Sequence, residues 1–292
     1  MSRAAHPALQ AALRVALGDA RLEVLAVQGV EGGCISPAAR LETTAGPFFA
    51  KWNDAGPPDL FLREADGLRA MAEAGSSLAI PRVVVARGPE AGAPALIVME
   101  LLQAGPLDDE ALGRGLAELH RAAGARFGFP VDTYCGTTVQ PNAPLDSWPE
   151  FYATRRLAPL VARLEDARGL PSADRAVYER VIERLPGLVA DGAPPALVHG
   201  DLWSGNVLGS SRGPALVDPA CAFADREMEL GMMTLFGGFS SRCLAAYEEV
   251  WPLPAGWRGR NALYQLYHVL NHFLLFGGHY GAQALSIARR YA

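Results

Sequence analysis

The sequence predicts an α+β fold with a small, strand-rich N-terminal lobe and a larger, mostly helical C-terminal lobe. Two observations support this prediction. Short apolar runs bounded by Gly, Pro and Asn fill the first part of the chain, whereas apolar residues follow helical spacing over most of the remainder. The 292 residues, half of them apolar, suffice for two lobes. We place the lobes at residues 1–102 and 103–292.

The N-terminal lobe reads as an amphipathic helix, then strands around a single internal helix. Residues 1–20 lack the uninterrupted apolar stretch of a signal peptide and instead show an amphipathic pattern. Turns at the Gly32-Gly33 and Ala45-Gly46 pairs separate the first strands. The further elements are strands within 22–30 and 38–52, a helix at 60–74, and strands at 83–86 and 96–99.

The C-terminal lobe is predicted to be helical except for a long loop and two short strands. The loop, residues 124–149, is rich in Gly, Pro and Asn, and its 26 residues exceed a usual connection, so it is either functional or disordered. The predicted helices are 108–123, 150–167, 173–190, 226–236, 240–250, 257–276 and 282–291, with strands at 197–198 and 215–217.

Composition excludes several classes of protein. The net charge of −5 disfavours nucleic-acid binding and a polybasic membrane anchor, and no run approaches 18 apolar residues. The four cysteines are scattered without a CxxC pair, which disfavours a disulfide framework or a zinc site and favours a reducing cytoplasm. We therefore expect no nucleic-acid partner, no membrane association and a cytoplasmic location.

The basic residues are 25 arginines and one lysine, Lys51. Where arginine has replaced almost every lysine, the remaining one is a candidate for a role that needs a compact point charge rather than a planar fork. Chance survival of a single lysine explains the count equally well.

The strongest local motif is His199-Gly200-Asp201 followed by Asn206 and, twelve residues later, Asp218 at the end of an apolar run. An Asp and an Asn five residues apart in a tight loop can share one site, with Asp201 accepting a hydroxyl proton and Asn206 binding Mg²⁺. A second carboxylate, Asp218, would complete the metal site. This order matches the catalytic loop and metal-binding Asp of kinases. Because Gly, Asp, Ser and Asn favour turns, a plain loop is the alternative.

Upstream residues supply the other parts of a nucleotide site. Lys51 ends an apolar strand, and Glu64 follows thirteen residues later in a predicted helix, as in the kinase pair that contacts the phosphates. The glycines Gly32 and Gly33 can turn backbone N–H groups towards an anion. The segment Glu100-Leu101-Leu102, at the lobe boundary, can bind adenine through its backbone, and a plain buried strand is the alternative.

The pair of Lys51 and Glu64 precedes the group of Asp201, Asn206 and Asp218 by about 150 positions, which is the order found in kinases. We therefore predict an ATP- and Mg²⁺-dependent phosphotransferase. Protein kinases are disfavoured because HRD, DFG and APE segments are missing from the sequence. The helical second half and the long loop favour a small-molecule substrate. A non-catalytic ATP-binding regulator would lack at least one catalytic residue. This sequence has all five of them: Lys51, Glu64, Asp201, Asn206 and Asp218.

The sequence resembles the fructosamine kinases, also called ketosamine-3-kinases, over nearly its whole length. These belong with aminoglycoside phosphotransferases and choline kinases to a group with a bilobal protein-kinase-like fold. The stretches that carry the resemblance are His199–Asn206 with Trp203, Asp218-Pro219-Ala220, Phe236-Gly237-Gly238-Phe239, Tyr264–Tyr267, Leu270-Asn271-His272, and Gly136-Thr137-Thr138 with Gln140, Asn142 and Trp148.

The resemblance implies phosphorylation of a fructosamine, ribulosamine or erythrulosamine adduct on the sugar O3, giving an unstable product that releases the amine and reverses glycation. The partner would be a small ketosamine or a glycated protein lysine, and the enzyme a monomer or homodimer. A kinase for another small amino alcohol, such as choline or an aminoglycoside, is the alternative.

Further residues have two interpretations each. Trp203 could cover the substrate or pack in the core, and Asn271 and His272 could line the substrate pocket or be satisfied core groups. We expect His199 to be structural rather than catalytic and Glu229 to brace the catalytic loop, with simple solvent exposure as the alternative for Glu229.

Cys34 follows the two glycines, where phosphate-directed amides and nearby Lys51 should lower its thiol pKa. We hypothesise that Cys34 is redox-sensitive and able to form an intermolecular disulfide. A small turn residue with no regulatory role is the alternative.

Overall fold

The computed structural model describes residues 5–30, 36–90 and 92–292 as an α+β kinase-like fold. An N-terminal sheet with its helices is followed by a mostly helical C-terminal part, as the sequence predicts. Gly32, Gly33 and Cys34 lie outside the described residues, so the predictions made for them stay predictions.

Five antiparallel strands in the order β1-β2-β3-β5-β4 form the N-terminal sheet. They are β1 (Val24–Val30), β2 (Ala38–Thr43), β3 (Gly46–Asn53), β4 (Val83–Arg87) and β5 (Ala95–Glu100). The central strand β3 pairs with β2 on one side and β5 on the other, with Lys51 opposite Ala38 and Ile97. Lys51 therefore lies in the interior of the sheet.

Two helices cover the two faces of this sheet: α1 (Ala5–Leu17), predicted as the N-terminal amphipathic helix, and α2 (Leu60–Glu73), the predicted internal helix. Side chains of β5 alternate between them, since Leu96 and Val98 pack in the cluster that contains α1, while Ile97 and Met99 pack in the cluster that contains α2. This alternation is the period of two expected of a strand buried on both faces.

The C-terminal part consists of helices around short two-stranded pairs. The helices are α3 (Asp109–Arg121), α4 (Trp148–Phe151), α5 (Ala158–Arg168), α6 (Ser172–Leu188), α7 (Glu227–Leu235), α8 (Ser241–Val250), α9 (Trp257–Phe276) and α10 (Tyr280–Ala288). The strands are β6 (Thr133–Cys135), β7 (Thr138–Gln140), β8 (Ala196–Val198), β9 (Val207–Ser210), β10 (Gly213–Leu216) and β11 (Ala222–Ala224). Helix α9 packs against α5, α7 and α10 and forms the centre of the largest core.

The predicted helix at 150–167 is interrupted by a π-helical turn, Tyr152–Leu157, between α4 and α5. In this turn Arg156 is buried, donates hydrogen bonds to Pro141 O at 2.7 Å and Asn142 Oδ1 at 2.8 Å, and stacks over the Phe151 ring. Because π turns widen a helix locally, this one makes room for a buried guanidinium that anchors the segment after β7.

The predicted long loop is ordered and carries the β6–β7 hairpin. Inside it, Gln140 accepts a hydrogen bond from Tyr267 on α9 at 2.8 Å and donates to Ala220 O at 3.1 Å. The hairpin is thereby fixed between α9 and the segment after Asp218. In residues 5–30, 36–90 and 92–292 no helix is long and apolar enough to cross a membrane.

Candidate functional site

A cavity of about 740 Å³ lies where the N-terminal sheet meets the C-terminal part. Its lining includes residues of β3, α2 and β5 on one side, and of the 201–220 segment and α9 on the other. Eleven predicted site residues line it: Lys51, Glu64, Glu100, Leu101, Leu102, Asp201, Trp203, Asn206, Asp218, Asn271 and His272. Residues predicted from separate parts of the sequence thus meet in one place.

Lys51 lies between two carboxylates in this cavity. Its Nζ contacts Glu64 Oε1 at 2.8 Å and also bonds Asp218 Oδ1. Burial opposes the ammonium charge, but the two carboxylates outweigh it and raise the pKa of Lys51 above its ordinary value. Burial raises the pKa of Glu64 to about 7 despite the nearby ammonium. One ammonium balances only one of the two carboxylates, so the cluster of Lys51, Glu64 and Asp218 can accept a further cation.

The backbone at Asp218 is in the left-handed region, with φ of 59°, an unusual conformation for a residue other than glycine. Helix α2 approaches the next residues closely, since a Cβ at Gly67 would lie 3.0 Å from Pro219. This close packing keeps the loop that carries Asp218 beside the helix that carries Glu64. The side chain of Asp218 remains 42% exposed to the cavity.

The loop that carries Asp201 is held by Glu229 on α7. The buried Glu229 carboxylate accepts hydrogen bonds from the backbone N–H groups of His199 and Gly200, the latter at 3.1 Å. Gly200 has φ of +84°, and a Cβ there would lie 2.1 Å from Ala220 O. The loop therefore needs glycine at this position, where it crosses the segment after Asp218.

Glu229 is itself held by a second buried group. His120 Nε2 lies 3.6 Å from Glu229 Oε2, and His120 Nδ1 is 2.8 Å from the Tyr247 hydroxyl. Burial alone would raise the pKa of Glu229, but His120 and His199 outweigh it and lower that pKa below its ordinary value. Glu229 thus stays ionised and able to accept both backbone bonds.

His199 has both ring nitrogens occupied by backbone partners. Its Nε2 is 2.8 Å from Val217 O, and its Nδ1 accepts from the Asp201 N–H at 3.2 Å. This pattern requires a proton on Nε2 only, and burial lowers the His199 pKa, so the ring is neutral. His199 connects the loop of Asp201 to the strand end before Asp218.

Asp201 and Asn206 are joined through the same loop. Asn206 donates its side-chain amide to the Asp201 backbone carbonyl at 2.9 Å, which leaves the amide oxygen able to bind a metal. Burial, with the nearby carboxylates of Glu229 and Asp218, raises the pKa of Asp201 to about 7. A carboxylate with this pKa can accept a proton from a bound hydroxyl at neutral pH.

The donor atoms offered by Asn206 and Asp218 fit a hard divalent cation. Both present oxygen, both line the cavity, and Mg²⁺ prefers one or two protein oxygens with phosphates and water as the remaining ligands. Lys51 leaves the Glu64 and Asp218 pair short of positive charge. The residues present therefore suit a metal bound together with phosphates.

The opposite wall is formed by the end of β5. The strand ends at Glu100, and Leu101 and Leu102 lie in neither strand nor helix, so their backbone groups are not committed to the sheet. The Glu100 carboxylate forms an ion pair with Arg212, and the backbone N–H of Glu100 donates a hydrogen bond to Arg82 O at 3.0 Å. We call residues 100–102 the connector. It gives the cavity an apolar wall with backbone N–H and C=O groups at its edge.

Trp203, Asn271 and His272 line the other end. The Trp203 ring packs over Gly205, where a Cβ would lie 2.2 Å from it. Asn271 Nδ2 donates to Cys135 O at 3.1 Å, while its buried Oδ1 has no partner among the described residues. His272 Nδ1 is 2.8 Å from His268 O, and its ring is partly exposed to the cavity.

The structure adds residues that sequence reasoning missed. Cys135 Sγ, the Asp201 carboxylate and a ring nitrogen of His268 lie within 4.8 Å of one another. The mouth of the cavity is lined by the aromatic residues Tyr134, Phe236, Phe276 and Tyr280. The sequence could have indicated His268 and Phe276, because four-residue spacing places both on the face of the predicted helix that carries His272.

Fold and site together define a phosphotransferase with a kinase-like fold. The fructosamine kinase family model matches residues 8–291, and the chain belongs to that family. A Synechocystis protein assigned as a ketoamine kinase is 40% identical over 90% of this chain and 89% of its own length. The protein-ribulosamine 3-kinase of rice chloroplasts, from Oryza sativa subsp. indica, is 39% identical over 92% of this chain and 79% of its own length.

Solved structures agree with this assignment. A Thermobifida fusca crystal structure assigned as a fructosamine-3-kinase superposes with a TM-score of 0.84 at 36% identity, covering 96% of this chain and 97% of the other. The aminoglycoside phosphotransferase APH(4)-Ia, in complex with AMP-PNP and hygromycin B, shares the fold with a TM-score of 0.62 at 17% identity, over 91% and 94% of the two chains.

Proposed function

We propose that this protein transfers the γ-phosphoryl group of ATP to the sugar O3 of ketosamines. The observation that carries the proposal is the convergence of Lys51, Glu64, Asp201, Asn206 and Asp218 on one cavity in a chain of the fructosamine kinase family. The names of the curated relatives, ketoamine kinase and protein-ribulosamine 3-kinase, support ketosamines as the substrate class. The adducts would be fructosamines, ribulosamines or erythrulosamines on small amines or protein lysines.

In the proposed reaction Asp201 orients the acceptor hydroxyl and takes its proton. The hydroxyl oxygen forms a bond to the γ-phosphorus, the bond from that phosphorus to the ADP oxygen breaks, and the proton goes to the Asp201 carboxylate. The Asp201 pKa of about 7 suits this proton transfer. Glu229 and His199 keep Asp201 in place through the loop backbone.

Lys51 would contact the nucleotide phosphates, with Glu64 holding the ammonium in position. Asn206 and Asp218 would hold Mg²⁺, which when bound offsets the charge that moves with the transferred phosphoryl group. The connector from Glu100 to Leu102 would bind adenine through its backbone. AMP-PNP bound to the related aminoglycoside phosphotransferase supports ATP as the donor.

We also propose a cytoplasmic location. The three described cysteines Cys135, Cys221 and Cys243 are free and buried, which suits a reducing compartment.

The test is ATP turnover with Mg²⁺ on a panel of fructose, ribulose and erythrulose adducts of one amine, beside hygromycin B and choline. We expect turnover of the ketosamines and loss of about 10²–10⁴-fold in Asp201→Asn, the usual contribution of a general base. Asp166→Asn, an exposed carboxylate on α5, is the matched control and should retain full activity.

Phosphate at O3 would be located by NMR of the product before it decomposes. Turnover of hygromycin B or choline without any ketosamine would overturn the assignment in favour of another small alcohol. ATP binding without turnover of the panel would contradict the proposed reaction itself.

A further inference from the structure

Two large aromatic side chains are exposed at the mouth of the cavity. Phe236, after α7, is 47% exposed, and Phe276, the last residue of α9, is 55% exposed. Both line the cavity, whereas most phenylalanines of the described chain are buried or half-buried. Exposed aromatic faces at the edge of a concave site are typical of a surface that contacts a ligand.

His272 joins these side chains into one group. Its ring centroid lies 5.1 Å from Phe236, 5.5 Å from Phe276 and 5.1 Å from Tyr280. Burial lowers the pKa of His272, so the ring is neutral at pH 7. We call Phe236, His272, Phe276 and Tyr280 the aromatic collar.

Phe236 is held in this position by two glycines. Gly237 and Gly238 have φ of 73° and 93°, and a Cβ at Gly238 would lie 2.6 Å from Ser204. The close approach fixes the segment after α7 beside Trp203. The collar is therefore a built part of the cavity wall and lies beside the catalytic loop.

Helix α9 connects the catalytic carboxylate to the collar. A ring nitrogen of His268 is within 4.8 Å of Asp201, whereas Phe276 lies two turns further along the same face. At 1.5 Å per residue, His272 is about 6 Å and Phe276 about 12 Å beyond His268 along the helix axis. The face of α9 thus extends from the reacting end of the site to its mouth.

The chemistry of this face changes along its length. At the reacting end, Asn271 lines the cavity and its Oδ1 is buried and unpartnered among the described residues, so it suits a hydroxyl of a sugar. Beyond His272 the face is aromatic. A ligand that is polar at one end and apolar at the other would match it.

A ketosamine has this arrangement. Its nitrogen is four bonds from the reacting O3 atom, a distance of at most about 5 Å. With O3 at Asp201, the nitrogen lies near the level of His272, and its substituent extends towards Phe276 and Phe236.

We propose that the aromatic collar binds the amine and the first atoms of its substituent, an inference that rests on the proposed function. A protonated secondary amine is stabilised by aromatic faces, and methylene or aryl groups next to it bury apolar area there. A carboxylate next to the nitrogen would be desolvated among four uncharged rings. The collar therefore selects ketosamines of alkylamines, aryl-methylamines and lysine side chains over those of free α-amino acids.

The test compares two adducts of the same sugar, ribulose-benzylamine and ribulose-glycine, as substrates of the wild type and of the F236A/F276A double variant. We expect the wild type to favour the benzylamine adduct in kcat/KM. The double variant should lower that kcat/KM about 10–100-fold and lower the ratio between the two adducts at least tenfold. Leu107→Ala, a similarly exposed apolar residue outside the cavity, should leave the ratio unchanged.

Equal effects on both adducts, or an unchanged ratio with both turned over, would overturn the collar while leaving the proposed function intact. No turnover by the wild type of either adduct, or of any other ketosamine in the panel of the three sugars, would overturn both. A melting temperature of the double variant close to that of the wild type checks that it is folded.

Discussion

Lys51 lies in a space bounded by two carboxylates that face each other across a single ammonium. Glu64 approaches from α2, and Asp218 approaches from a strained backbone on the other side of the cavity. A point charge with three rotatable donors can bond both and still face a third group. Arginine would instead present a broader planar fork with its charge spread over three nitrogens. The structure thus provides a physical reason for the single lysine among 25 arginines.

We predict that Lys51→Arg lowers kcat/KM for ATP about 10–100-fold. This corresponds to loss of one charge-assisted hydrogen bond, since the guanidinium cannot bond Glu64, Asp218 and a phosphate together. Steady-state kinetics measures the change. Arg126→Lys, the reverse exchange in an exposed ion pair with Asp146, should leave kcat/KM within about twofold. Full activity of Lys51→Arg would show that chance explains the lone lysine.

His268 is buried beside Asp201 and makes no side-chain hydrogen bond among the described residues. Burial, together with the neighbouring His272, lowers its pKa to about 3. A histidine with a depressed pKa stabilises the fold fully above its unfolded pKa of about 6.5. This contribution is lost as pH falls towards 3, because the folded state resists a proton that the unfolded state accepts.

We predict that His268→Gln reduces the loss of stability on acidification. Between pH 6.5 and pH 4 the wild type should lose about 3 kcal/mol of unfolding free energy more than the variant does. Urea unfolding at several pH values measures this, and carboxyl groups remote from His268 cancel in the difference. His279→Gln, at an exposed site, should behave like the wild type. Parallel curves for His268→Gln and the wild type would contradict a buried neutral His268.

At the scale of elements, α7 contributes to the site mainly through Glu229, which lies behind the loop of Asp201, although Met232 of the same helix lines the cavity. Glu229 in the first turn of α7 accepts hydrogen bonds from the backbone N–H groups of His199 and Gly200, and the buried His120 on α3 lies 3.6 Å from Glu229 Oε2. Two helices therefore determine where the Asp201 loop lies.

We predict that Glu229→Gln lowers both stability and activity. One end of the amide would place N–H groups against the loop N–H groups, leaving them unbonded at a cost of about 1–3 kcal/mol in unfolding free energy. Displacement of Asp201 by even 1 Å should reduce kcat about 10²-fold. Glu183→Gln, at an exposed position on α6, is the control. Reduced stability with unchanged kcat would limit Glu229 to a folding role.

Elements with strong local periodicity were predictable from the sequence. Helix α9 and strand β3 carry apolar spacing that ordinary rules detect. The β6–β7 hairpin was not predicted, because three-residue strands have no measurable period and this pair depends on contacts with Tyr267 and Ala220 far along the chain. The π-helical turn was missed for a similar reason, since it exists to accommodate buried Arg156.

The candidate site divides in the same way. Asp201, Asn206 and Asp218 lie in short motifs whose spacing reports their chemistry, so the sequence alone could indicate them. Cys135 and His268 come close to Asp201 only through the packing of the hairpin and α9 on the loop. No local sequence pattern could have predicted that Cys135 and His268 lie close to Asp201.

Over the whole molecule, the N-terminal sheet and α2 join the C-terminal part through a shared apolar core and through polar contacts around the cavity, among them the Glu100–Arg212 ion pair. Ala79 pairs with Pro214 and Leu216 through backbone hydrogen bonds of 2.8 and 3.1 Å, and Lys51 reaches Asp218 over 167 positions of sequence. A nucleotide in the cavity would contact both sides at once. Its binding should therefore stabilise the molecule as a unit.

We predict that AMP-PNP with Mg²⁺ at about 100 times its dissociation constant adds about 2.7 kcal/mol to the unfolding free energy, which is a rise of about 5–10 °C in Tm. EDTA should remove most of the rise, because the phosphates then lack the cation that we propose Asn206 and Asp218 hold. Asp218→Asn should reduce the rise even with Mg²⁺, since it removes the charged ligand, whereas Asp166→Asn should show the full rise. Scanning calorimetry with and without EDTA measures all four cases. An equal rise in EDTA would show that the nucleotide binds without the metal and would contradict the roles proposed for Asn206 and Asp218.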